Sequence, residues 1–376
     1  MDPKEKNLEA HLDQCFLAGK GLLEHIAKWK IDNLSEIKDC CTKSAGNDPH
    51  TGTGLLYETP NSTIYREGTF RLLKYNPNPR LSTPLLIVPS LINRYYILDL
   101  MQGNSLIEYL TQAGFSVYLL DWGIPGREQD HLSFEHYINK WIRRAVTQVL
   151  RDSGEPSCAL LGYCMGGTMA ACYAAADQKR INALISLAAP YDFSGDDPLS
   201  LLARNMDLDK LVDSRGYIPA ELLQAGFLMA QPLSPLQKAR SLYDNNDDAR
   251  KNDVFLHLER WLSDNVPFPK EAYRQYIREF YRENNLISGK FSLNGRKIKL
   301  SDIKAPVLSV IATRDSIVPA KASLALNEAV SGTAETIEID AGHIGIVMGR
   351  KAKEAWMGMT MWLTKAWEKG SRYNPG

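Results

Sequence analysis

The sequence lacks several features that would mark a protein for a particular environment or partner. Only six of its 376 residues are cysteine, and they show neither metal-ligand spacing nor a disulfide framework. Basic and acidic residues both number 44, so there is no charge excess of the kind that binds nucleic acid. No signal-peptide pattern opens the chain, and no window approaches about 18 uninterrupted apolar residues. We therefore expect reduced thiols in a cytoplasmic protein with no metal, no nucleic-acid partner and no transmembrane segment.

The rest of the composition is that of an ordinary folded protein. Hydrophobic residues make up 44% and charged residues 23% of a chain long enough for one large α/β domain with an insertion. Residues 1–48 are expected to form an N-terminal helical segment and linker. Apolar positions recur there at helical spacing over residues 7–30, and a polar stretch follows at 42–54. Such a helix either packs on the protein's own core or docks on a partner.

A cysteine occupies the position of a nucleophile in the segment LLGYCMGGTM at residues 160–169. A strand-like apolar run precedes it and a segment rich in helix formers follows, so the chain turns from strand to helix through G-x-C-x-G-G. This pattern is the nucleophile elbow of the α/β-hydrolase fold, with Cys164 where serine is usual. Glycines allow the close packing that such a turn needs, and a helix N-terminus favours a thiolate. The alternative is that Cys164 is simply a small buried apolar residue.

Buried-strand and helix patterns alternate around this elbow. They predict the α/β class, with a doubly wound, mostly parallel sheet and active-site groups at the carboxyl ends of its strands. The pattern changes to helices and loops at 193–304, where we expect a cap inserted after the strand that follows the elbow. The α/β-hydrolase core then comprises residues 49–192 and 305–376. Strands are predicted at 54–57, 63–75, 84–88, 115–121, 183–187, 306–312 and 335–339, and helices at 105–113, 133–151 and around the apolar stripe of Trp356, Met359, Trp362 and Leu363.

A thiol nucleophile needs a base, and the base needs a carboxylate to orient it. In this fold the order along the chain is nucleophile, acid, histidine. His343 is the only one of the seven histidines that follows the cap, and it lies just after the last predicted strand. Asp315 follows the preceding strand, whereas the competing Asp340 shares the loop of the histidine. We therefore predict Cys164, Asp315 and His343 as the catalytic residues.

Two backbone N–H groups are expected to hold the oxyanion. One belongs to Met165, directly after the nucleophile. The other is expected from the loop after the strand at 84–88, from either Leu91 or Ile92. The alternative for residues 93–96 is a capped helix start facing solvent.

The choice of cysteine bears on the reaction. Exchange of a thiolate with a thioester substrate is nearly balanced in energy, and the product thioester stays activated toward a later alcohol. Serine would form a more stable oxygen ester and favour hydrolysis. The residues therefore indicate acyl transfer from a thioester.

Longer motifs add a family resemblance. From about residue 54 to residue 363 the chain resembles the short polyhydroxyalkanoate (PHA) synthases, the catalytic subunits of the two-subunit class III and class IV types. The first forty-odd residues carry no such resemblance, and the features of the two classes are mixed. The likeness is carried by VPSLINRYYILDL at 88–100, LLDWG at 119–123, LGYCMGG at 161–167, the stretch 261–281, Arg314, Asp315, Val318 and Pro319, and GHIG at 342–345.

The resemblance implies an acyltransferase that polymerises 3-hydroxyacyl-CoA, with short-chain monomers such as 3-hydroxybutyryl-CoA. Cys164 would carry the acyl chain, His343 would take protons from Cys164 and from the 3-hydroxyl group, and Asp315 would orient His343. No cofactor is implied, because coenzyme A is part of the substrate. The family also implies a homodimer, a smaller accessory subunit and a cytoplasmic polyester granule.

Two other functions fit parts of the pattern. A cysteine-nucleophile hydrolase, similar to a thioesterase or dienelactone hydrolase, would share the three catalytic residues but lack the large cap. An inactive scaffold that binds granules would keep the fold without needing Cys164, Asp315 and His343.

Overall fold

The computed structural model describes residues 58–76, 78–81, 83–209, 217–230 and 249–371. The chain divides into two units, 1–56 and 57–376, and all described residues belong to the second. The helix predicted at 7–30, the linker at 42–54 and the strand at 54–57 lie outside the described residues. The residue boundaries expected for the domains remain a prediction.

An eight-stranded sheet forms the centre of the described region, in the order β1-β2-β4-β3-β5-β6-β7-β8. The six strands from β4 to β8 in that order are parallel, and β2 pairs antiparallel with both β1 and β4. The mostly parallel sheet predicted from the sequence is confirmed. Its strands are β1 (Asn61–Glu67), β2 (Phe70–Tyr75), β3 (Pro84–Val88), β4 (Ser116–Asp121), β5 (Cys158–Tyr163), β6 (Ile181–Leu187), β7 (Val307–Ala312) and β8 (Ala334–Ile339).

Helices cover both faces of the sheet, and several lie in the described part of the insertion between β6 and β7. The α-helices are α1 (Leu106–Gln112), α2 (Arg143–Ser153), α3 (Met165–Ala176), α4 (Pro198–Asn205), α5 (Ala220–Ala230), α6 (Ala249–Ser263), α7 (Lys270–Tyr276), α8 (Ala320–Ala329), α9 (Gly345–Met348) and α10 (Ala352–Ser371). A short α-helical turn (Phe134–His136) and a π-helical turn (Tyr137–Ile142) lead into α2, and a second π-helical turn (Ile277–Arg282) follows α7. Short 3₁₀-helices lie at Tyr95–Asp99, Arg127–Gln129, Gln178–Arg180 and Leu300–Asp302.

The central strands are buried on both faces, as their uninterrupted apolar runs predict. Every residue of β3, β4, β5 and β7 is buried. Alternate side chains enter two different hydrophobic clusters, so that Leu86 and Leu160 pack on one face while Leu85 and Leu161 pack on the other. The C-terminal stripe on α10 is likewise core, because Trp356, Met359, Trp362 and Leu363 are all buried.

Of two predicted elements, one differs from the structure and one agrees with it. The segment 63–75 is not one strand but the hairpin of β1 and β2, because Gly68 adopts a positive φ of 59° and reverses the chain. The predicted helix at 105–113 is confirmed as α1, and the Ser105 side chain accepts a hydrogen bond from the backbone N–H of Glu108 at its start.

The insertion between β6 and β7, which we predict to be a cap and call the cap below, is not purely helical. Tyr217–Ile218 pairs with Phe268–Pro269, and Ser292–Leu293 pairs with Arg296–Lys297. Asn294 and Gly295 form the turn of the second pair, both with positive φ, which is the Asn-Gly hairpin signal. Among the described residues, no helix combines the length and hydropathy needed to cross a membrane.

Candidate active site

Cys164 lies at the tight turn between β5 and α3. Its backbone has φ 54° and ψ −131°, an uncommon conformation for a residue with a side chain. The Cys164 N–H donates to the carbonyl oxygen of Leu187 at 3.0 Å, and the Cys164 carbonyl accepts from the N–H of Gly167 at 2.8 Å. The turn therefore holds the thiol at the carboxyl end of the sheet, where the elbow pattern places it.

Glycines around Cys164 allow backbone segments to touch. A Cβ on Gly162 would lie 2.3 Å from Gly167 Cα, which no real structure tolerates. A Cβ on Gly166 would lie 2.1 Å from the carbonyl oxygen of Val88, and one on Gly167 would lie 2.3 Å from Ala189 Cβ. The start of α3 is thus packed against the ends of β3 and β5 at a distance that only glycine permits.

His343 and Asp315 meet beside this turn. His343 Nδ1 lies 2.6 Å from Asp315 Oδ2. The other carboxylate oxygen of Asp315 accepts the backbone N–H groups of Ile317 and Val318, each at 2.8 Å. Both side chains are buried, at 8% exposure for His343 and 1% for Asp315. The carboxylate is therefore fixed by its own loop and oriented toward the imidazole.

Asp340, the competing acid, lies elsewhere. Its side chain is 70% exposed and forms an ion pair of 2.6 Å with Arg314 Nε. The loop that carries His343 directs this carboxylate to solvent, so of the two candidate acids it is Asp315 that contacts the imidazole.

The charges at the site favour a protonated imidazole. Burial alone would lower the pKa of His343, but the charges of Cys164 and Asp315, and hydrogen bonds with both side chains, raise it to about 10. The imidazolium is therefore the protonation state of His343 that this arrangement stabilises. The structure thus brings Cys164, Asp315 and His343 together.

Tyr163 is a contact of His343 that the sequence analysis did not identify. Its hydroxyl donates to the backbone carbonyl of His343 at 3.2 Å. The two rings also stack, with centroids 5.3 Å apart and planes inclined by 26°. No sequence pattern marks this contact, because it joins residues 180 positions apart.

Two cap tyrosines also face the thiol. Tyr276 ends α7 and Tyr281 lies in the π-helical turn after it, and their rings are in edge contact at 5.5 Å. Burial raises the pKa of both hydroxyls, and the nearby Cys164 charge raises both further. Residues five apart share a face in a π-turn but not in an α-helix. The sequence analysis did not identify this pair, because α-helical spacing does not place the two residues on one face.

The loop after β3 holds the remaining predicted residues. Leu91 is buried and Ile92 half-buried, and the Ile92 N–H donates to Ser90 Oγ at 3.1 Å. Met165 opens α3 directly after the nucleophile. The alternative of a solvated helix start at 93–96 is wrong, because Tyr95–Asp99 is a buried 3₁₀-helix that no side chain caps.

The described residues contain no group of three or more His, Cys, Asp or Glu side chains that could hold a metal ion. A cysteine, a histidine and an aspartate are the side-chain types that nucleophilic catalysis by a thiol requires.

Comparison with protein families agrees with this geometry. A family model described as "alpha/beta hydrolase fold" matches residues 83–349. A second, described as "Poly-beta-hydroxybutyrate polymerase (PhaC) N-terminus", matches residues 16–110. The likeness therefore begins well before residue 54, and the expectation that the first forty-odd residues carry none is wrong. A protein of Sulfolobus solfataricus named "putative lipase" shares the fold at TM-score 0.50 and 17% identity, covering 82% of this chain and 99% of that one.

Two relatives named "Poly(3-hydroxyalkanoate) polymerase subunit PhaC" match most of the chain. The one from Haloferax mediterranei is 35% identical over 354 residues, covering 92% of this chain and 72% of the relative. The one from Allochromatium vinosum is 36% identical over 316 residues, covering 82% and 89%. The resemblance found in the sequence motifs is confirmed. By these matches the chain belongs to the poly(3-hydroxyalkanoate) polymerase family, on an α/β-hydrolase fold.

Proposed function

We propose that this protein polymerises 3-hydroxyacyl-CoA, with short-chain monomers such as 3-hydroxybutyryl-CoA, and releases CoA through an acyl intermediate on Cys164. The names of the relatives support polymerisation of 3-hydroxyalkanoates. The observation that carries the mechanism is the thiol of Cys164 on its strained turn, beside an imidazole bonded to a buried carboxylate.

In the first step the Cys164 thiolate attacks the thioester carbonyl of the substrate. The tetrahedral intermediate then breaks its bond to coenzyme A, whose sulfur takes the proton from His343. The acyl group stays on Cys164 as a new thioester. Asp315 stabilises the imidazolium before this transfer and keeps Nδ1 bonded throughout.

Backbone N–H groups stabilise the negative oxygen of that intermediate. Met165 supplies one from the start of α3, where the helix dipole adds to its effect. Of the two candidates in the loop after β3, Leu91 is favoured for the other, because the Ile92 N–H is engaged by Ser90 Oγ.

In the second step His343 acts as a base. The Cys164 charge is the largest of the influences that raise the pKa of His343. Acylation of the sulfur removes that charge, so the pKa falls and the imidazole can accept the proton of an incoming 3-hydroxyl group. The alkoxide attacks the acyl-cysteine, an ester bond forms, and the thiolate is released for another cycle.

The cap limits the competing reaction with water. Aromatic side chains of the cap and of the segment that enters it surround the thiol side of the site, in ring contacts of 4.9–5.9 Å among Phe193, Tyr276, Phe280 and Tyr281. Exclusion of water keeps the acyl-cysteine available for the next hydroxyl group.

The proposal includes the partners that the family resemblance implies. They are a second copy of the chain, a smaller accessory subunit and a polyester granule in the cytoplasm. It requires no metal or organic cofactor, since coenzyme A enters and leaves with the substrate.

Incubation of the purified protein with 3-hydroxybutyryl-CoA tests the proposal, with and without a candidate accessory subunit. We expect CoA release with polymer, and loss of both in Cys164→Ala. Cys172→Ala, a change of the same type at a buried position of α3, is the control and keeps activity. Release of free 3-hydroxybutyrate without polymer would instead establish a hydrolase. Polymer made by Cys164→Ala in cells without another synthase would eliminate the catalytic assignment.

A further inference from the structure

Two tryptophans hold the loop at residues 89–94, which follows β3 and carries the proposed oxyanion donor. Trp122 of the core donates its indole N–H to the carbonyl oxygen of Pro89 at 3.0 Å. Trp261, on α6 of the cap, donates its indole N–H to the carbonyl oxygen of Arg94 at 2.8 Å. Core and cap therefore each fix one end of the same loop.

A carboxylate near the end of α6 strengthens the cap side of this attachment. Asp264 Oδ2 accepts the Tyr96 hydroxyl at 2.8 Å and lies 3.7 Å from Arg94 Nε. We call Arg94, Tyr96, Trp261 and Asp264 the cap latch. It joins the end of α6 to the backbone two residues beyond Ile92.

The two aromatic members of the latch are buried, so the hydrogen bond from Trp261 has little competition from water, whereas the Asp264 side chain is 46% exposed. Trp261 is 2% exposed and Tyr96 is 7% exposed, and both belong to the hydrophobic cluster on one face of the sheet. Without the carbonyl of Arg94, the indole N–H would be left in an apolar setting with no partner, which is costly. The contact therefore resists displacement as long as α6 stays in place.

Beyond the latch, the chain is fixed to the core again. Asp99, at the end of the 3₁₀-helix, is fully buried and accepts hydrogen bonds from Thr59 and from the Ser105 hydroxyl. The span between Pro89 and Asp99 thus has core anchors at both ends and is attached to the cap between them, through Arg94 and Tyr96. Movement of α6 would act on the loop at that point.

We infer that Trp261 and Asp264 are positioning residues, which hold the Leu91 N–H where the substrate's carbonyl oxygen develops charge. This inference rests on the proposed function. According to this inference, formation of the acyl-cysteine depends on the position of α6. Proton transfer between Cys164 and His343 does not depend on the position of α6. When the cap is in this position, it both excludes water and completes the oxyanion site.

The variant Trp261→Phe separates these two properties, because it keeps an aromatic ring and removes the indole N–H. Two rates are measured on the full-length protein: CoA release from 3-hydroxybutyryl-CoA, and alkylation of Cys164 by iodoacetamide, followed by mass spectrometry of its peptide. Alkylation needs a thiolate but no oxyanion donor. We expect CoA release to fall about 10- to 100-fold through kcat, since loss of a whole donor costs about 100- to 1,000-fold. The alkylation rate should stay within about twofold of wild type.

Trp356→Phe is the matched control. Trp356 is 1% exposed, and its indole N–H has no hydrogen-bond partner in the described part of the chain. This variant suffers a similar loss of ring volume, and both of its rates should remain near those of wild type. Asp264→Asn should reduce CoA release less than Trp261→Phe and also spare alkylation.

Three outcomes would overturn the inference. Equal losses of both rates in Trp261→Phe would show that Trp261 supports the fold without positioning the loop. An unchanged rate of CoA release in that variant would show that the loop is set by the core alone. A wild-type protein that is alkylated at Cys164 but releases no CoA would refute the proposed function itself, and that result differs from either of the first two.

Discussion

The core and the cap contribute to the site through different kinds of contact. In the core, backbone meets backbone around Gly162, Gly166 and Gly167, at separations that exclude even one methyl group. The cap meets the site through aromatic rings and through single hydrogen bonds such as that from Trp261 to Arg94. The first kind of contact permits one geometry, and the second allows small displacements. The reacting groups are therefore rigidly placed, and adjustment is left to the surroundings.

The largest effect is expected at the core carboxylate. Asp315→Asn should lower the rate of CoA release at least about 100-fold, because an amide neither carries the charge nor fixes the protonation of His343. The control is Asp340→Asn, at an exposed position paired with Arg314, and it should remain near wild type. The opposite ranking would reassign the acid to Asp340.

The pH dependence of CoA release gives a second test of Asp315→Asn. The pKa of His343 is raised to about 10, so the imidazolium that protonates coenzyme A persists in wild type until the pH approaches that value. The charge of Asp315 is one cause of this rise, so its removal lowers the pKa. The alkaline limb of the CoA-release profile should therefore shift to lower pH in Asp315→Asn. An unshifted limb would show that His343 does not determine it.

A smaller effect, on stability, is expected at a core glycine. Gly162→Ala should lower the free energy of unfolding by about 1–3 kcal/mol, or prevent folding, since the added methyl group would lie 2.3 Å from Gly167 Cα. Urea denaturation measures the change. A variant as stable as wild type would mean that α3 can move away from β5, contrary to the rigid geometry inferred for the core.

Loss of one hydrogen bond at His343 should have a smaller effect again. Tyr163→Phe removes the bond to the His343 carbonyl but keeps the stacked ring, and should cost about 0.5–1.5 kcal/mol. If that cost appears in the reaction barrier, CoA release and Cys164 alkylation should both fall about 2- to 10-fold. Tyr118→Phe, which removes a hydroxyl bonded to Asp152 at 2.7 Å, is the control and should leave both rates unchanged.

The smallest effect is expected in the cap. Gly226 lies within α5, and a methyl group there would meet Leu202 Cδ2 at an ordinary 3.7 Å. Gly226→Ala should therefore raise the free energy of unfolding by about 0.5–1 kcal/mol through helix propensity, with CoA release unchanged. Destabilisation comparable to that of Gly162→Ala would remove the distinction between the two regions.

Local patterns in the sequence predict much of the core but little of the detail in the cap. The elbow at Cys164 depends on glycines and a strand-to-helix change that are contiguous in the chain, and the order of Asp315 and His343 follows from strand order. The sequence also favours Asp315 over Asp340, because Asp340 shares the loop of the histidine. The way in which the Asp315 loop fixes its carboxylate is visible only in the coordinates.

Features that join distant segments had no local signature. The pairing of Tyr276 with Tyr281 depends on a π-turn, which α-helical periodicity does not reveal. The stack of Tyr163 on His343 and the bond from Trp261 to Arg94 join segments that only the fold brings together. The Asn294-Gly295 turn, by contrast, is a hairpin signal present in the sequence, and attention to it would have found the short strand pair in the cap.

The crossover between β6 and β7 also determines when the protein becomes active during its synthesis. Val307 can pair with Leu184 only after the whole insertion between them has left the ribosome, and His343 emerges later still. Translation at about 5–20 residues per second separates the appearance of the thiol from that of its base by several seconds or more. A nascent chain that ends within the insertion has the sulfur without the imidazole, so the proposed mechanism allows no product before the chain has been made through His343.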